Sequence, residues 1–347
     1  MIYPEYRQLA RHVQRNCHIS DARHAGDYTL CVYLLKMREY YRWEKSYSFN
    51  QSLSTDDIGD WLTSREHLWE KLENEEYAQI EADDACYSPF DSTSINEKLL
   101  RHGLVYSGGI GHKSKPHFFL AKLESEKKFN GYNILTTAEE YARDLTSPPA
   151  MSQDNNIYIR RESFKRMIWE KTEEWRWNKP DNAMAKAMKC YDFDHDIEGS
   201  MEAMTDNELE AALLHEIGEI KAGEKLPGWS NMMSDVSHTQ AEIMARAVRD
   251  HLADAISTLP TLLDQKKEAS IHFFFANLTN MRKLIFPSLQ KAYEQWTISH
   301  EIDGLQIAIE NSQAHWQNIS SQMLDLHTTY TNKCSSHIES LVKNSYL

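Results

Sequence analysis

The feature that most limits how this chain can fold is a run of apolar residues at three- and four-residue spacing near the C-terminus. The run comprises Ile302, Leu305, Ile309, Trp316, Ile319, Met323, Leu326 and Tyr330, with Ser312 interrupting it. About four heptads of this pattern predict one long helix with a single apolar seam. The seam fits either a self-associating coiled coil or packing along the helix's own domain. Gly304 and the scarcity of flanking Glu/Lys pairs favour the second, so a monomer is preferred over a homo-oligomer.

Composition excludes several classes of protein. The 347 residues include 38 Lys and Arg against 52 Asp and Glu, which gives a net charge of -14. Non-specific nucleic-acid binding and binding to anionic membranes both need a positive surface, so neither partner is expected. No apolar run approaches the roughly 18 residues that a membrane-spanning helix needs. We therefore expect a soluble protein.

The cysteines indicate the compartment. Five are scattered along the chain, at positions 17, 31, 86, 190 and 334, without a C-x-x-C pair. This distribution argues against a disulfide framework and against a structural zinc site. The first residues, MIYPEYRQLARHV, lack the apolar segment of a secretory signal. Reduced thiols and a cytoplasmic location are expected.

Local patterns divide the chain into three regions. Residues 1–100 and 161–347 carry helical periodicity, and the second of these holds the long C-terminal helix. Residues 101–160 contain short β-prone runs between glycine, proline and lysine-rich turns, followed by AEEYARDL, which predicts a short helix. The predicted fold class is mainly α: a multi-helix domain with a small inserted antiparallel β-sheet and a long C-terminal helix.

A group of metal-ligating side chains falls in two predicted helices of the last region. His215 and Glu219 lie on neighbouring turns of one helix, and His251 and Asp254 lie on neighbouring turns of the next. Glu216 falls beside the apolar stripe of its helix and His251 within that of the other, so both are expected to point inward. Buried charge needs a partner or a metal. Two imidazoles and three carboxylates predict a divalent metal site for Zn, Mn or Fe.

The segment ALLHEIGEI resembles the ALLHDIGKI stretch of HD-domain metal-dependent phosphohydrolases over about nine residues. In that family the His-Asp pair supplies two metal ligands, with a further histidine upstream and an aspartate downstream. The resemblance implies that His195 would serve upstream and Asp250 or Asp254 downstream. Glu216 stands where the family has Asp, and Glu219 where its Lys often lies.

Three other arrangements remain open for these residues. A zincin would need a second histidine where Glu219 stands. A di-metal carboxylate bundle also places carboxylates and histidines on facing helices, although its paired Glu-x-x-His is absent here. In the third arrangement, Glu216 and His251 form a buried, metal-free pair joined by hydrogen bonds, with Arg246 or Arg249 beside it.

A glycine-rich segment, SGGIGHKSKPH at residues 107–117, predicts a second site. Glycines let backbone N–H groups approach an anion, and the lysines and histidines add positive potential. With a second basic cluster, the candidate ligand-binding residues are Gly108, Gly109, Gly111, Lys113, Lys115, Arg160 and Arg161. They predict a small anionic ligand held in a concave surface. The alternative is a hairpin loop with a solvated basic rim.

Four stretches, YSGGIG…KPHFFLAKL, EYARDLTSPPAM, LLHEIGE and RAVRDHLADAISTLP, resemble an uncharacterised bacterial protein family. The resemblance covers most of residues 100–290 and implies a bacterial, cytoplasmic, soluble protein without an activity to transfer. Two functional hypotheses follow from the residues themselves. One is a metal-dependent hydrolase or oxygenase with Glu216 or Glu219 as the base. The other is a non-catalytic helical scaffold or a protein that binds a small anion.

Overall fold

A computed structural model describes residues 6–83, 85–111 and 115–347. The chain forms two compact units. The N-terminal unit comprises Met1–Trp177 and Asp194–Thr205, and the C-terminal unit comprises Asn178–Phe193 and Asp206–Leu347. Among the described residues, no helix combines the length and the apolar character needed to cross a membrane.

The N-terminal unit combines helices with two sheets. Its helices are α1 (Arg7–His24), α2 (Leu30–Glu44), α3 (Thr55–Leu72), α4 (Ser92–Leu99) and α5 (Arg161–Asn178). Its strands are β1 (Ile80–Ala82), β2 (Ala85–Tyr87), β3 (Leu104–Ile110), β4 (Pro116–Phe129), β5 (Tyr132–Arg143), β6 (Ala150–Gln153) and β7 (Asn156–Arg160). Strands β1 and β2 form a ribbon, and the larger sheet has the order β3-β4-β5-β7-β6. Its neighbouring strands are antiparallel except for β5 and β7, which are parallel.

The larger sheet is buried on both faces where β3 meets β4. On one face, Tyr106 and Phe118 pack with Val13 of α1 in a core cluster. On the other face, Val105 and Phe119 belong to a second cluster. The continuous apolar run in β4 follows from this arrangement, because successive side chains of a strand point to opposite faces.

The short helix predicted for AEEYARDL is wrong, because most of that segment is the end of strand β5. Strand β5 pairs with β4 in a register that places Phe119 opposite Arg143, with shifts between residues 120 and 125. The Glu140 side chain is buried, and its Oε1 accepts a hydrogen bond from Arg160 Nε at 2.9 Å. The glutamates and alanines favour a helix locally, but sheet pairing and this buried ion pair determine the conformation.

The C-terminal unit is helical among the described residues. Its elements are α6 (Ala183–Lys189), α7 (Ile197–Glu224, from Asp206 onward), α8 (Trp229–Asp235), α9 (Gln240–Ala253), a π-helical turn (Asp254–Thr258), α10 (Leu259–Asp264), α11 (Glu268–Asn277), α12 (Asn280–Ile285), α13 (Pro287–Ser299), α14 (Asp303–Tyr330) and α15 (Ser335–Lys343). The predicted fold class, mainly α with a small β region and a long C-terminal helix, is confirmed.

Helix α14 is the predicted C-terminal helix, and its apolar seam packs within the chain against α9, α13 and α15. The fully or almost fully buried residues of the seam are Leu305, Ile309, Trp316, Ile319 and Met323. Ser312 is also buried, and its hydroxyl donates to the carbonyl of Ile309 at 2.7 Å. The polar interruption of the pattern therefore has a partner on its own helix.

Substituting Ile319 with Asp should destabilise the fold, because Ile319 is 3% exposed and a buried carboxylate there would lack a partner. We expect a loss of at least about 3 kcal/mol in the free energy of unfolding. Ile307→Asp is the matched control, since Ile307 lies on the same helix and is 56% exposed. Chemical denaturation measures both variants, and equal losses would contradict the packing described above.

Helix α7 lies very close to the end of α9 at Gly218. A Cβ atom added to Gly218 would lie 2.3 Å from the carbonyl oxygen of Ala253, a backbone atom that cannot move aside alone. The absence of a side chain at this position thus sets the distance between the two helices. The residues one turn before Gly218 on α7 therefore face the end of α9.

Gly218→Ala tests this close approach. The substitution should lower the free energy of unfolding by about 1–3 kcal/mol, because overpacking forces the helices apart. Gly223→Ala is the control on the same helix, since its Cβ would meet only Arg249 Nη2 at 3.6 Å. The control should be neutral or gain up to about 1 kcal/mol from higher helix propensity. Denaturation curves that place the two variants together would show that the contact is not tight.

Candidate metal centre

Three metal-ligating side chains converge where α7 faces α9. His215 and Glu219 come from successive turns of α7, and Asp250 comes from the last turn of α9. One ligand atom of each lies within 4.8 Å of the others. Two ligands held at about 2.1 Å from one ion can be at most about 4.2 Å apart. Small side-chain rotations would therefore bring all three into coordination distance.

His215 is oriented by a carboxylate that is not one of the three. Its Nδ1 lies 2.8 Å from Oδ1 of Asp254, so Nδ1–H donates and Nε2 is left for another partner. An imidazole whose second nitrogen donates to a carboxylate is the usual arrangement around protein-bound metals. The His215 side chain is 32% exposed, whereas that of Asp254 is 1% exposed. The pair of His215 and Asp254 is therefore anchored in the interior through Asp254 and open to water at His215.

Asp254 begins the π-helical turn that follows α9. Its second oxygen, Oδ2, accepts a hydrogen bond from Arg282 of α12. Burial would raise the pKa of Asp254, but Arg282 and then His215 lower it below its usual range. Burial opposes the charged form of His215, while Asp254 raises the pKa of that imidazole to about 10. Single π-helical turns inside α-helices occur frequently at functional sites.

Glu219 offers an oxygen that is buried and has no hydrogen-bond partner among the described residues. Its Oε2 forms an ion pair with Arg249 Nη2 at 2.8 Å, and Oε1 is the unpaired atom. Burial raises the pKa of Glu219, and Arg249 opposes that shift. A buried oxygen without a partner is costly unless a ligand completes it.

The charges around His215 leave room for a cation. The carboxylates that influence this region are Glu216, Glu219, Asp250 and Asp254, and the guanidinium groups paired with them are Arg249 and Arg282. With a pKa of about 10 the imidazole is protonated at neutral pH, so these named groups carry four negative and three positive charges, a sum of minus one. A metal ion on Nε2 would release that proton and bring the sum to minus two. A divalent cation would balance that sum.

His251 does not join the group. Its Nε2 lies 2.9 Å from the carbonyl oxygen of Arg282, and its ring stacks on Trp316 with centroids 5.3 Å apart. Burial, and then the charge of Arg282, lowers the pKa of His251 to about 3. The sequence correctly predicted that His251 is buried, but the ring faces α14 rather than α7.

Asp250, and not His251 as predicted, lies beside His215 and Glu219. Sequence reasoning named Asp250 only as a downstream residue in the HD-domain comparison. Its spacing from Asp254 is i, i+4, the same as the spacing of His215 and Glu219 on the facing helix. This symmetry of two i, i+4 pairs was the available signal.

Within the glycine-rich segment, residues 107–110 form the end of strand β3, and residues 116 and 117 begin strand β4. The N–H of Gly108 donates to Ser92 Oγ at 2.8 Å, and the N–H of Gly111 donates to the carbonyl of Lys115 at 2.8 Å. These two donors are therefore engaged within the protein. Lys113 lies outside the described residues.

Beside this strand lies a cavity of about 430 Å³. Gly109, Gly111, Lys115 and His117 line it, so part of the predicted ligand-binding segment does border a concave surface. Arg160 lies behind the cavity wall, with Nη1 3.4 Å from the carbonyl of Pro148.

Arg161 is engaged elsewhere: it pairs with Glu202, which also accepts from Lys165 Nζ at 2.6 Å. The structure thus brings Arg160, and not Arg161, toward the glycine-rich segment. The predicted ligand-binding set is divided between two places in the N-terminal unit.

Comparison with known proteins adds a family but no activity. The model of the C-terminal domain of a family of unknown function, DUF6866, matches residues 165–345, and the model of its N-terminal domain matches residues 8–160. The resemblance to HD-domain phosphohydrolases is not shown by these matches. Neither the curated proteins nor the solved structures contain a match. Because the two models together span almost the entire sequence, the chain belongs to the DUF6866 family.

Proposed function

We propose that this protein is a hydrolase that depends on a divalent metal ion held by His215, Glu219 and Asp250. The observation that carries the proposal is the convergence of three ligand atoms within 4.8 Å, one of them from a glutamate with a buried, unpaired oxygen. Asp254 would orient His215 from behind, as carboxylates do around metal-bound imidazoles.

The ligand set favours Zn, Mn or Fe and, among reactions, hydrolysis. One imidazole and two carboxylates suit these ions. Iron oxygenases commonly use two histidines and one carboxylate, so this set fits an oxygenase less well. With three protein ligands, further coordination positions remain for water, and the exposed edge of His215 gives water access.

The proposed chemistry is activation of a water molecule. A metal ion lowers the pKa of bound water to about 7 in the best-known zinc enzymes, which supplies hydroxide at neutral pH. Since Glu219 belongs to the ligand set, Glu216 is left as the carboxylate for the role of base. Glu216→Gln should then slow hydrolysis without releasing the metal.

Metal binding is the first test. The purified full-length chain is freed of metal with a chelator and titrated with Zn or Mn in a calorimeter. We expect one equivalent to bind, and His215→Ala or Asp250→Asn to weaken binding by at least about 100-fold, since even loss of a residue that only orients a ligand costs about 10–100-fold. The matched control is His327→Ala, because His327 forms a similar pair with Asp235 at 2.7 Å.

Two results would contradict the proposal. One is a folded wild type that binds none of Zn, Mn or Fe after reconstitution, and the other is undiminished binding in both ligand variants. Circular dichroism of each variant confirms that the fold is retained. Hydrolysis is assayed on p-nitrophenyl esters of phosphate and of acetate, with and without metal. A metal-bound protein that cleaves neither ester, with oxygen consumption in its iron form, would shift the assignment to an oxygenase.

A further inference from the structure

We propose that the cavity in the N-terminal unit binds a small organic acid, whose carboxylate pairs with Lys115 and whose apolar part packs against Tyr28, Ile110 and Met151. This inference is independent of the metal centre, because all of these residues lie in the N-terminal unit. About 430 Å³ is enough for a small organic molecule.

One of the residues that line the cavity, Lys115, has an ammonium group with unused donors. The Lys115 side chain is 10% exposed and lies 3.3 Å from Oδ1 of Asp21. An ammonium has three donors, and within the part of the chain that the structure describes only Asp21 takes one. A ligand oxygen in the cavity would complete the coordination of this ammonium.

The other walls of the cavity are largely apolar, which favours an organic acid over an inorganic anion as the ligand. The side chains of Ile110, Pro148 and Met151 and the ring of Tyr28 give an apolar surface. Hydroxyl groups lie beside it: Tyr28 and Thr146 form a hydrogen bond with each other at 3.1 Å. A ligand with one charged end and an apolar body would use both kinds of wall.

Lys115 belongs to a group of interacting buried charges that already balance without a ligand. The groups are Asp21, Lys115, Glu140, Arg143, Asp144 and Arg160, each less than 9% exposed. Three are negative and three are positive when all are ionised. An incoming carboxylate would add one negative charge, and uptake of one proton would restore the balance.

Asp21 is the group best placed to take that proton. It is fully buried, and both of its oxygens accept from the N–H of Leu145 at 3.0 Å. Burial raises the pKa of Asp21 to about 6, although Lys115 opposes this. The titratable groups that interact with Asp21 are Cys17 on its own helix, Tyr28, Tyr33 and Tyr40 from α2 and the segment before it, Lys115 before β4, and Asp144 after β5.

The binding test uses three probes with the full-length protein. Benzoate has both parts of the proposed ligand, benzyl alcohol has the ring without the charge, and inorganic phosphate has charge without the ring. Calorimetry or ligand-detected NMR should show benzoate binding at least tenfold more tightly than either of the others, since hydrogen bonds to charged groups are the stronger ones. Equal affinity for benzoate and benzyl alcohol, or no binding of benzoate, would overturn the proposal. Phosphate binding as tightly as benzoate would overturn the assignment of an organic ligand.

Two variants locate the site. Lys115→Met should reduce benzoate binding to the level of benzyl alcohol, whereas Lys122→Met, at an exposed position on strand β4, should not change it. Because Lys115→Met leaves the buried group with one uncompensated negative charge, Met151→Trp serves as a second variant that fills the cavity without altering the buried charges. Benzoate binding that survives Met151→Trp would place the ligand elsewhere and contradict the inference.

Proton uptake gives an independent readout. A second negative charge near Lys115 raises the pKa of Asp21 further, so benzoate affinity should fall as pH rises above about 6, by up to tenfold per pH unit, and should level off below that value. Asp21→Asn keeps an oxygen for the Leu145 N–H and should remove the pH dependence. Calorimetry in two buffers of different ionisation enthalpy measures the proton directly. Affinity independent of pH in wild type, or an unchanged slope in Asp21→Asn, would refute the role of Asp21.

Discussion

The C-terminal unit depends on the buried carboxylate of Asp254. Removing an ion from water costs several kcal/mol even after the surroundings relax, so an unpaired charge at this depth would not persist. Asp254 is stable there because two charged groups from different helices meet it, His215 from α7 and Arg282 from α12. The same contact fixes which nitrogen of His215 faces the cluster. Stability and the orientation of the candidate ligand therefore rest on one interaction.

The N-terminal unit buries charge by another route. Asp21 and Asp144 accept hydrogen bonds mainly from backbone N–H groups, including those of Leu145, Phe118 and Ser147. Backbone donors are fixed by the fold, so these carboxylates constrain Lys115 rather than depend on it alone. In both units, a fully buried carboxylate thus positions a basic residue that borders water or a cavity. A ligand that binds such a residue gains affinity, because the side chain is already held in place and loses little conformational freedom on binding.

Sequence periodicity predicted which side chains are buried better than it predicted their neighbours. The α14 pattern gave the helix and its buried seam, because a 3.6-residue period identifies the inward side directly. The same argument correctly predicted that His251 is buried. The inward side of α9 contacts several helices, however, so burial alone does not say which of them His251 meets. Whether His251 or Asp250 meets α7 depends on how α7 and α9 pack at Gly218. That contact joins residues far apart in the sequence, so no local pattern reveals it. The strand at AEEYARDL was missed for the same reason, since pairing with β4 overrides local helix preference.

Some glycines that the sequence pattern singled out do lie near the candidate sites, but the structure gives a different physical reason for them. Gly103, Gly131 and Gly228 adopt positive φ, the usual reason for glycine, but Gly108 and Gly218 do not. At Gly108 a Cβ would lie 1.9 Å from the carbonyl oxygen of Pro89, and at Gly218 it would meet Ala253. Both positions therefore require the absence of a side chain rather than backbone freedom, and a cradle of N–H groups for an anion is not needed to explain Gly108.

These two contacts nonetheless lie next to the candidate sites: Gly109 packs under the ring of His117, and His215 and Glu219 flank Gly218 on α7. Close backbone packing, more than glycine flexibility, is what sets the geometry of both places.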